Sequence, residues 1–113
     1  MEVQQGNIVE VNVYLPDGGF KPHPAIVISN DIVFFHESAF LIVMISGTEV
    51  NDQFTFSLTD EMLTRKPKKK SQVRCHLINL VTERDIIQKF GSIKKQYLIQ
   101  IIEKIKNTVL KVD

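Results

Sequence analysis

Tryptophan is absent from this 113-residue chain, and cysteine occurs once, at Cys75. A lone cysteine excludes an intramolecular disulfide and cannot build a cysteine-rich zinc site. Nothing therefore calls for an oxidising compartment, and the expected location is the cytoplasm. No apolar run is long enough to span a bilayer, and Glu2, Gln4, Gln5 and Asn7 interrupt the order of a signal peptide at once. The sequence offers no fixed-period repeat. What is present is a hydrophobic content of 43%, enough for a real core without help from metal or disulfide, and the expectation is one domain over residues 1–113.

A net charge of +1 says little by itself, but its distribution does. Glu49, Asp52, Asp60 and Glu61 precede a basic knot, Arg65-Lys66-Pro67-Lys68-Lys69-Lys70. Such a cationic loop attracts a polyanion locally, within a Debye length of roughly 8–10 Å. The same run also suits a solvated, extended link, which Pro67 favours.

Asn7 to Tyr14, NIVEVNVY, alternates apolar and polar residues as a half-buried strand does. Pro16, Asp17-Gly18-Gly19, Pro22 and Pro24 predict a long loop from Leu15 to Pro24. Ala25 to Ile28 is a short apolar run of the kind buried on both faces, hence a central strand. Phe40 to Ile45 and Phe54 to Leu58 supply two more strands. Thr59-Asp60-Glu61 predicts a helical turn through Leu63. Ser71 to Asn79 is strand-like, and Thr82 to Asp85 has the position of a hairpin turn between Leu80-Val81 and Ile86-Ile87. Gly91 is expected to break that last strand, and Ser92 to cap a helix carrying Leu98, Ile101, Ile102, Ile105 and Val109 at helical spacing. The fold class is mostly β: a small barrel of curved antiparallel strands plus a C-terminal amphipathic helix.

Read in order, these segments resemble the MazF/PemK family of toxin ribonucleases, in its PemK-like branch. The opening strand GNIVEVNV is followed by KPHPAIVISND, similar to the family's Arg-Pro-Ala-hydrophobic-Val-hydrophobic-Ser. Val43-Met44-Ile45-Ser46-Gly47 is similar to its Ile-Thr/Ser strand end. KKKSQVR at 68–74, Leu80-Val81-Thr82 and IIQKFGSI at 86–93 resemble the PemK-like closing segments. The resemblance spans nearly the whole chain and implies an SH3-like barrel. It further implies a metal-independent endoribonuclease acting on single-stranded RNA, a cognate antitoxin and a homodimer, with no cofactor and no membrane partner.

RNA cleavage by the ribose hydroxyl needs a base, an acid and groups that stabilise charge on phosphorus. The family's arginine and Thr/Ser positions, which by resemblance carry this chemistry, match His23 and Ser46 here. The histidine is a departure, because arginine stays cationic and grips phosphate with a planar fork whereas histidine titrates near neutrality. Lys21 is the candidate for the missing charge. RNA-binding candidates are Lys21, Phe20, Thr48, Lys68, Lys69, Lys70 and Arg74, with Phe20 as a stacking surface. Other readings stand beside these. His23 also fits a loop histidine bonded locally, Ser46 and Thr48 fit a turn whose hydroxyls bond the backbone, and Arg74 fits a surface ion pair. A noncatalytic barrel that binds RNA or a protein partner is the alternative function. His36 and His76 lack metal-ligand spacing, and Cys75 reads as a small buried residue rather than a nucleophile.

Overall fold

The computed structural model describes residues 2–14, 18–67 and 69–113. Six strands form one antiparallel sheet: β1 (Asn7–Tyr14), β2 (Phe20–Val27), β3 (Ala39–Ser46), β4 (Thr55–Leu58), β5 (Ser71–Thr82) and β6 (Ile86–Ser92), in the order β4-β5-β3-β2-β1-β6. Two helices complete it, α1 (Asp31–Glu37) and α2 (Lys95–Lys104), the latter widening into a π turn over Ile105–Val109. Of the loop expected at the start of β2, Leu15, Pro16 and Asp17 lie outside the described residues.

The expected loop up to Pro24 is shorter than the sequence suggests, because β2 begins at Phe20 and pairs with β1 from Tyr14↔Phe20 to Ile8↔Ile26. Two prolines sit inside this strand without harming that ladder. Gly6 N–H donates to the Val27 carbonyl on the β1 side, and Ile28 N–H to the Leu41 carbonyl on the β3 side. By alternation, Pro22 and Pro24 therefore present their donor-less nitrogens toward β3. The β2–β3 ladder accordingly runs only from Val27↔Ile42 to Ala25↔Met44 and stops there.

Helix α1 is an addition to the sequence reading. Asn30 caps it, its side chain accepting from the Ile32 and Val33 amides, and Ser38 closes it in the left-handed conformation at φ 54°. The expected hairpin at Thr82–Asp85 is corrected. Thr82 and Asp85 form a capping box around a 3-10 turn, but β5 pairs with β3 and β4 while β6 pairs with β1. Four residue steps from Thr82 to Ile86 span at most about 14 Å. Four strand spacings on a flat sheet would need about 19 Å, so the sheet must curl on itself, as a small barrel does.

Gly91 does not break β6. It sits within it at φ 134°, where a bulge shifts the register between Ile8↔Gly91 and Val9↔Lys89. Ser92 is likewise not a helix cap: it ends β6, its Oγ accepts from Asn7 Nδ2 at 3.0 Å, and Lys94 takes the cap position. The turn expected after Thr59 is present as a 3-10 turn over Asp60–Met62.

Successive strand residues point to opposite faces, and both faces of β3 are buried. One face carries Phe40, Ile42 and Met44 with Val9, Val11, Val13, Ala25, Val27 and Val81. The other carries Val43 and Ile45 with Ile26 and Val73, covered by Leu98, Ile101 and Ile105 of the C-terminal helix. The helical stripe read from the sequence is thus the lid of the second core, although Ile102 is left partly exposed.

Candidate functional site

Where the β2–β3 ladder ends, the next polar side chains on the two strands are His23 and Ser46. Continuing the register Ala25↔Met44 by two residues would set them opposite each other. His23 shares its face with Ala25 and pairs with Val11 of β1, and Ser46 shares its face with Met44, so both belong to the face of the Phe40–Ile42–Met44 core. The prolines that end the ladder therefore leave these two side chains at its open end. His23 is half-buried, and its Nε2 is enclosed with no hydrogen-bond partner among the described residues. An enclosed polar nitrogen without a partner is uncommon in a folded chain, and among the described residues His76 Nδ1 shares this condition.

The same row continues across the sheet. Ser46 pairs with Gln72 of β5, and Gln72 with Ser57 of β4. Beyond them opens a groove of about 760 Å³. Ser46, Thr48, Ser57 and Gln72 line it together with Lys69 and Lys70. Glu49, Asp60 and Glu61 also border it. Hydrogen bonding from Thr59 holds the Glu61 carboxyl below its ordinary range.

The structure brings Ser46, Thr48, Lys69 and Lys70 together around this groove, with both lysines exposed. Ser46 Oγ accepts the Thr48 N–H at 3.1 Å, the local turn bond that the Ser-Gly-Thr spacing allows. Lys21 lies on β2 against Val13, two residues before His23 on the same face. Phe20, about half exposed, packs on Tyr14 with ring centroids 4.6 Å apart, on the opposite face. Lys68 lies outside the described residues.

Arg74 is differently employed. It lies one row inward, paired with Met44 and Thr55. Its guanidinium makes a two-pronged ion pair with Asp52, Nη1 to Oδ1 at 2.9 Å and Nη2 to Oδ2 at 2.8 Å, and Nη1 also donates to Thr55 Oγ1 at 2.6 Å. Hydrogen bonding from Arg74 holds the Asp52 carboxyl far below the usual carboxylate range. Gln72, buried, donates from Nε2 to the Thr48 carbonyl at 2.6 Å. Neither Asp52 nor Gln72 is legible as a site residue from sequence, because their partners lie more than twenty residues away.

His76 sits beside Phe54, ring centroids 4.4 Å apart, and burial pushes its pKa down. Cys75 is fully buried, which pushes its thiol up. Among the described residues no group of three or more His, Cys, Asp or Glu stands close enough to hold a metal ion, and no helix is long and apolar enough to cross a membrane.

The fold has close relatives among solved structures. An endoribonuclease from a mycobacterial species, solved in complex with its cognate antitoxin, superposes with a TM-score of 0.77 at 11% identity, covering 99% of each chain. MazF from Deinococcus radiodurans gives 0.77 at 13% identity over 98% of this chain and 99% of its own. The Mycobacterium tuberculosis toxin MazF-mt6 gives 0.73 at 16% identity over 95% and 99%. At such identities the likeness establishes the fold. No curated protein sequence matches the chain. A family model, however, matches residues 4–109, almost the entire length. The curled sheet, the split end of β2 and the terminal helix are therefore those of a family member: the chain belongs to the PemK-like, MazF-like toxins of type II toxin-antitoxin systems.

Proposed function

We propose that this toxin is an endoribonuclease that cleaves single-stranded RNA in the cytoplasm, acting as one domain over residues 1–113 and as a homodimer, with His23 and Ser46 at the reacting phosphate. The observation that carries this reading is the place of His23 where the β2–β3 ladder ends, on the same face as Ser46 and in register with it. In the reaction the ribose 2′-oxygen forms a bond to phosphorus as its proton passes to a base. The bond from phosphorus to the 5′-oxygen breaks, and that oxygen takes up a proton, leaving a 2′,3′-cyclic phosphate and a 5′-hydroxyl. His23 serves as the proton-transfer group. The Ser46 hydroxyl donates to the phosphorane oxygens, and Lys21, Lys69 and Lys70 supply positive charge, so each role falls to a side chain and none to a cofactor. The groove beside Ser46 takes the RNA strand, with Thr48 at its rim and Phe20 as an outlying stacking surface. An antitoxin segment laid over this groove would block it, in keeping with the relative solved together with its antitoxin.

Incubation of the purified protein with unstructured RNA in chelator tests the reading. Cleavage giving cyclic-phosphate ends, lost in His23→Ala and in Ser46→Ala, is the expected result. Intact RNA from pH 5 to pH 9 would favour the second reading, a barrel that binds RNA or a protein partner without cutting. Histidine in the arginine position is the feature that speaks for it.

A further inference from the structure

Ser46 stands at the start of the connection 47–54 between β3 and β4, and Thr48 lies within it. Such a connection is mobile unless it is tied down. Here two side chains of β5, two residues apart on one face, reach into it at both ends. Gln72, opposite Ser46, holds the Thr48 carbonyl. Arg74 holds both carboxylate oxygens of Asp52 and, through Thr55 Oγ1, reaches the Val50 carbonyl that the same hydroxyl contacts at 2.8 Å. Asp52 Oδ1 also accepts the Phe54 N–H at 2.9 Å. The Arg74 side chain is only 11% exposed, and Gln72 is 6% exposed.

We propose that Arg74, Asp52 and Gln72 are positioning residues that clamp the 47–54 connection onto β5 and so fix Ser46 and Thr48 at the reacting phosphate. This rests on the ribonuclease reading. Arg74 is then not a cation offered to RNA, the role its basic surroundings suggest from sequence, because a planar guanidinium held by a matching carboxylate has its fork already filled. The two roles differ in sign at Asp52. If Arg74 gripped phosphate, removing the competing carboxylate would tighten RNA binding, whereas a clamp without its carboxylate loosens.

The test is steady-state kinetics on a short unstructured RNA with Asp52→Asn, Arg74→Gln and Arg74→Lys, together with amide hydrogen exchange of residues 47–54. Asp52→Asn keeps an oxygen for the Phe54 N–H and removes the charge. The expected result is a kcat lowered about tenfold to a hundredfold, the scale of a small misplacement of reacting groups. KM and its salt dependence stay unchanged, Arg74→Lys recovers part of the loss, and exchange in 47–54 quickens at least tenfold. A tighter KM in Asp52→Asn overturns the proposal. So does a salt slope reduced by about 0.7 in Arg74→Gln, the signature of one lost phosphate contact on a single strand. Exchange in 47–54 as slow as in the wild type overturns it as well. Should the wild-type protein leave RNA intact, the ribonuclease reading falls, and the exchange measurement alone decides whether the clamp exists.

Discussion

Substituting Gly91 by alanine in the β6 bulge gives a measurable test of how the barrel closes. Gly91 has φ 134°, a conformation that L side chains rarely adopt, and an added Cβ would lie 2.9 Å from Thr64 Oγ1 and 3.3 Å from Arg65 Cγ. The backbone strain is about 1–3 kcal/mol. Thr64 Oγ1 cannot move freely, because it accepts the Ser92 N–H at 2.9 Å, and losing that bond adds about 1 kcal/mol. Gly91→Ala should therefore destabilise by about 2–4 kcal/mol, a fall in Tm of roughly 8–16 °C for a domain of this size. Gly47 is the control. Nothing lies within 4 Å of its added Cβ and its φ is not in the left-handed region, so Gly47→Ala should shift Tm by little. Thermal and urea denaturation followed by circular dichroism read the Tm and the free energy of both variants. In the double variant with Thr64→Ala the steric part vanishes and the backbone part persists, so the two losses should fall short of additive by about 1 kcal/mol. A Gly91→Ala protein as stable as the wild type, or full additivity with Thr64→Ala, would refute the account of the bulge.

Neutralising Lys69 and Lys70 to glutamine should weaken association with single-stranded RNA and lower its salt slope by about 1.4, read by fluorescence anisotropy across a salt series. An unchanged slope would make these lysines a solvated link. Burial disfavours the charged form of His76 and pushes its pKa below the ordinary 6.5. The unfolded chain therefore takes up that proton first, and the stability His76 contributes is complete above pH 6.5 and declines as pH falls below it through the folded value. Equilibrium unfolding from pH 7.5 to pH 5 should show a decline that His76→Phe reduces. Cys75, buried with its thiol pushed up, should react with a thiol reagent only at the rate of opening of the folded protein, and reaction at the rate of a free thiol would contradict its burial.

Local pattern carried much of the fold. The alternation of NIVEVNVY set β1 with its buried face of Val9, Val11 and Val13. The apolar runs at 25–28 and 40–45 set the doubly covered strands, and the spacing of Leu98, Ile101 and Ile105 set the covering helix. The order of motifs was enough to suggest the family, and Asn30-Asp31 held a helix cap that the apolar stretch after it obscured. Features that depend on partners far along the chain were not legible. Thr82–Asp85 has the composition of a hairpin, yet whether β6 pairs with β5 or crosses to β1 is decided by the curl of the whole sheet.

The sequence by itself determined the candidates for chemistry: a histidine before the buried strand, a serine at the end of another, a knot of lysines, and Arg74. Their relation to one another came from tertiary structure alone. Pro22 and Pro24 look like loop residues until the sheet shows which side their missing N–H groups face. Only then do His23 and Ser46, at the end of the β2–β3 ladder, stand together as the candidate site proposed above. From sequence Arg74 fits a cation offered to RNA as well as a surface ion pair, and only the fold, which lays Asp52, twenty-two residues away, against its fork, decides for the pair. Periodicity reports the side of its own element that is buried, whereas register and long-range pairing decide which side chains meet.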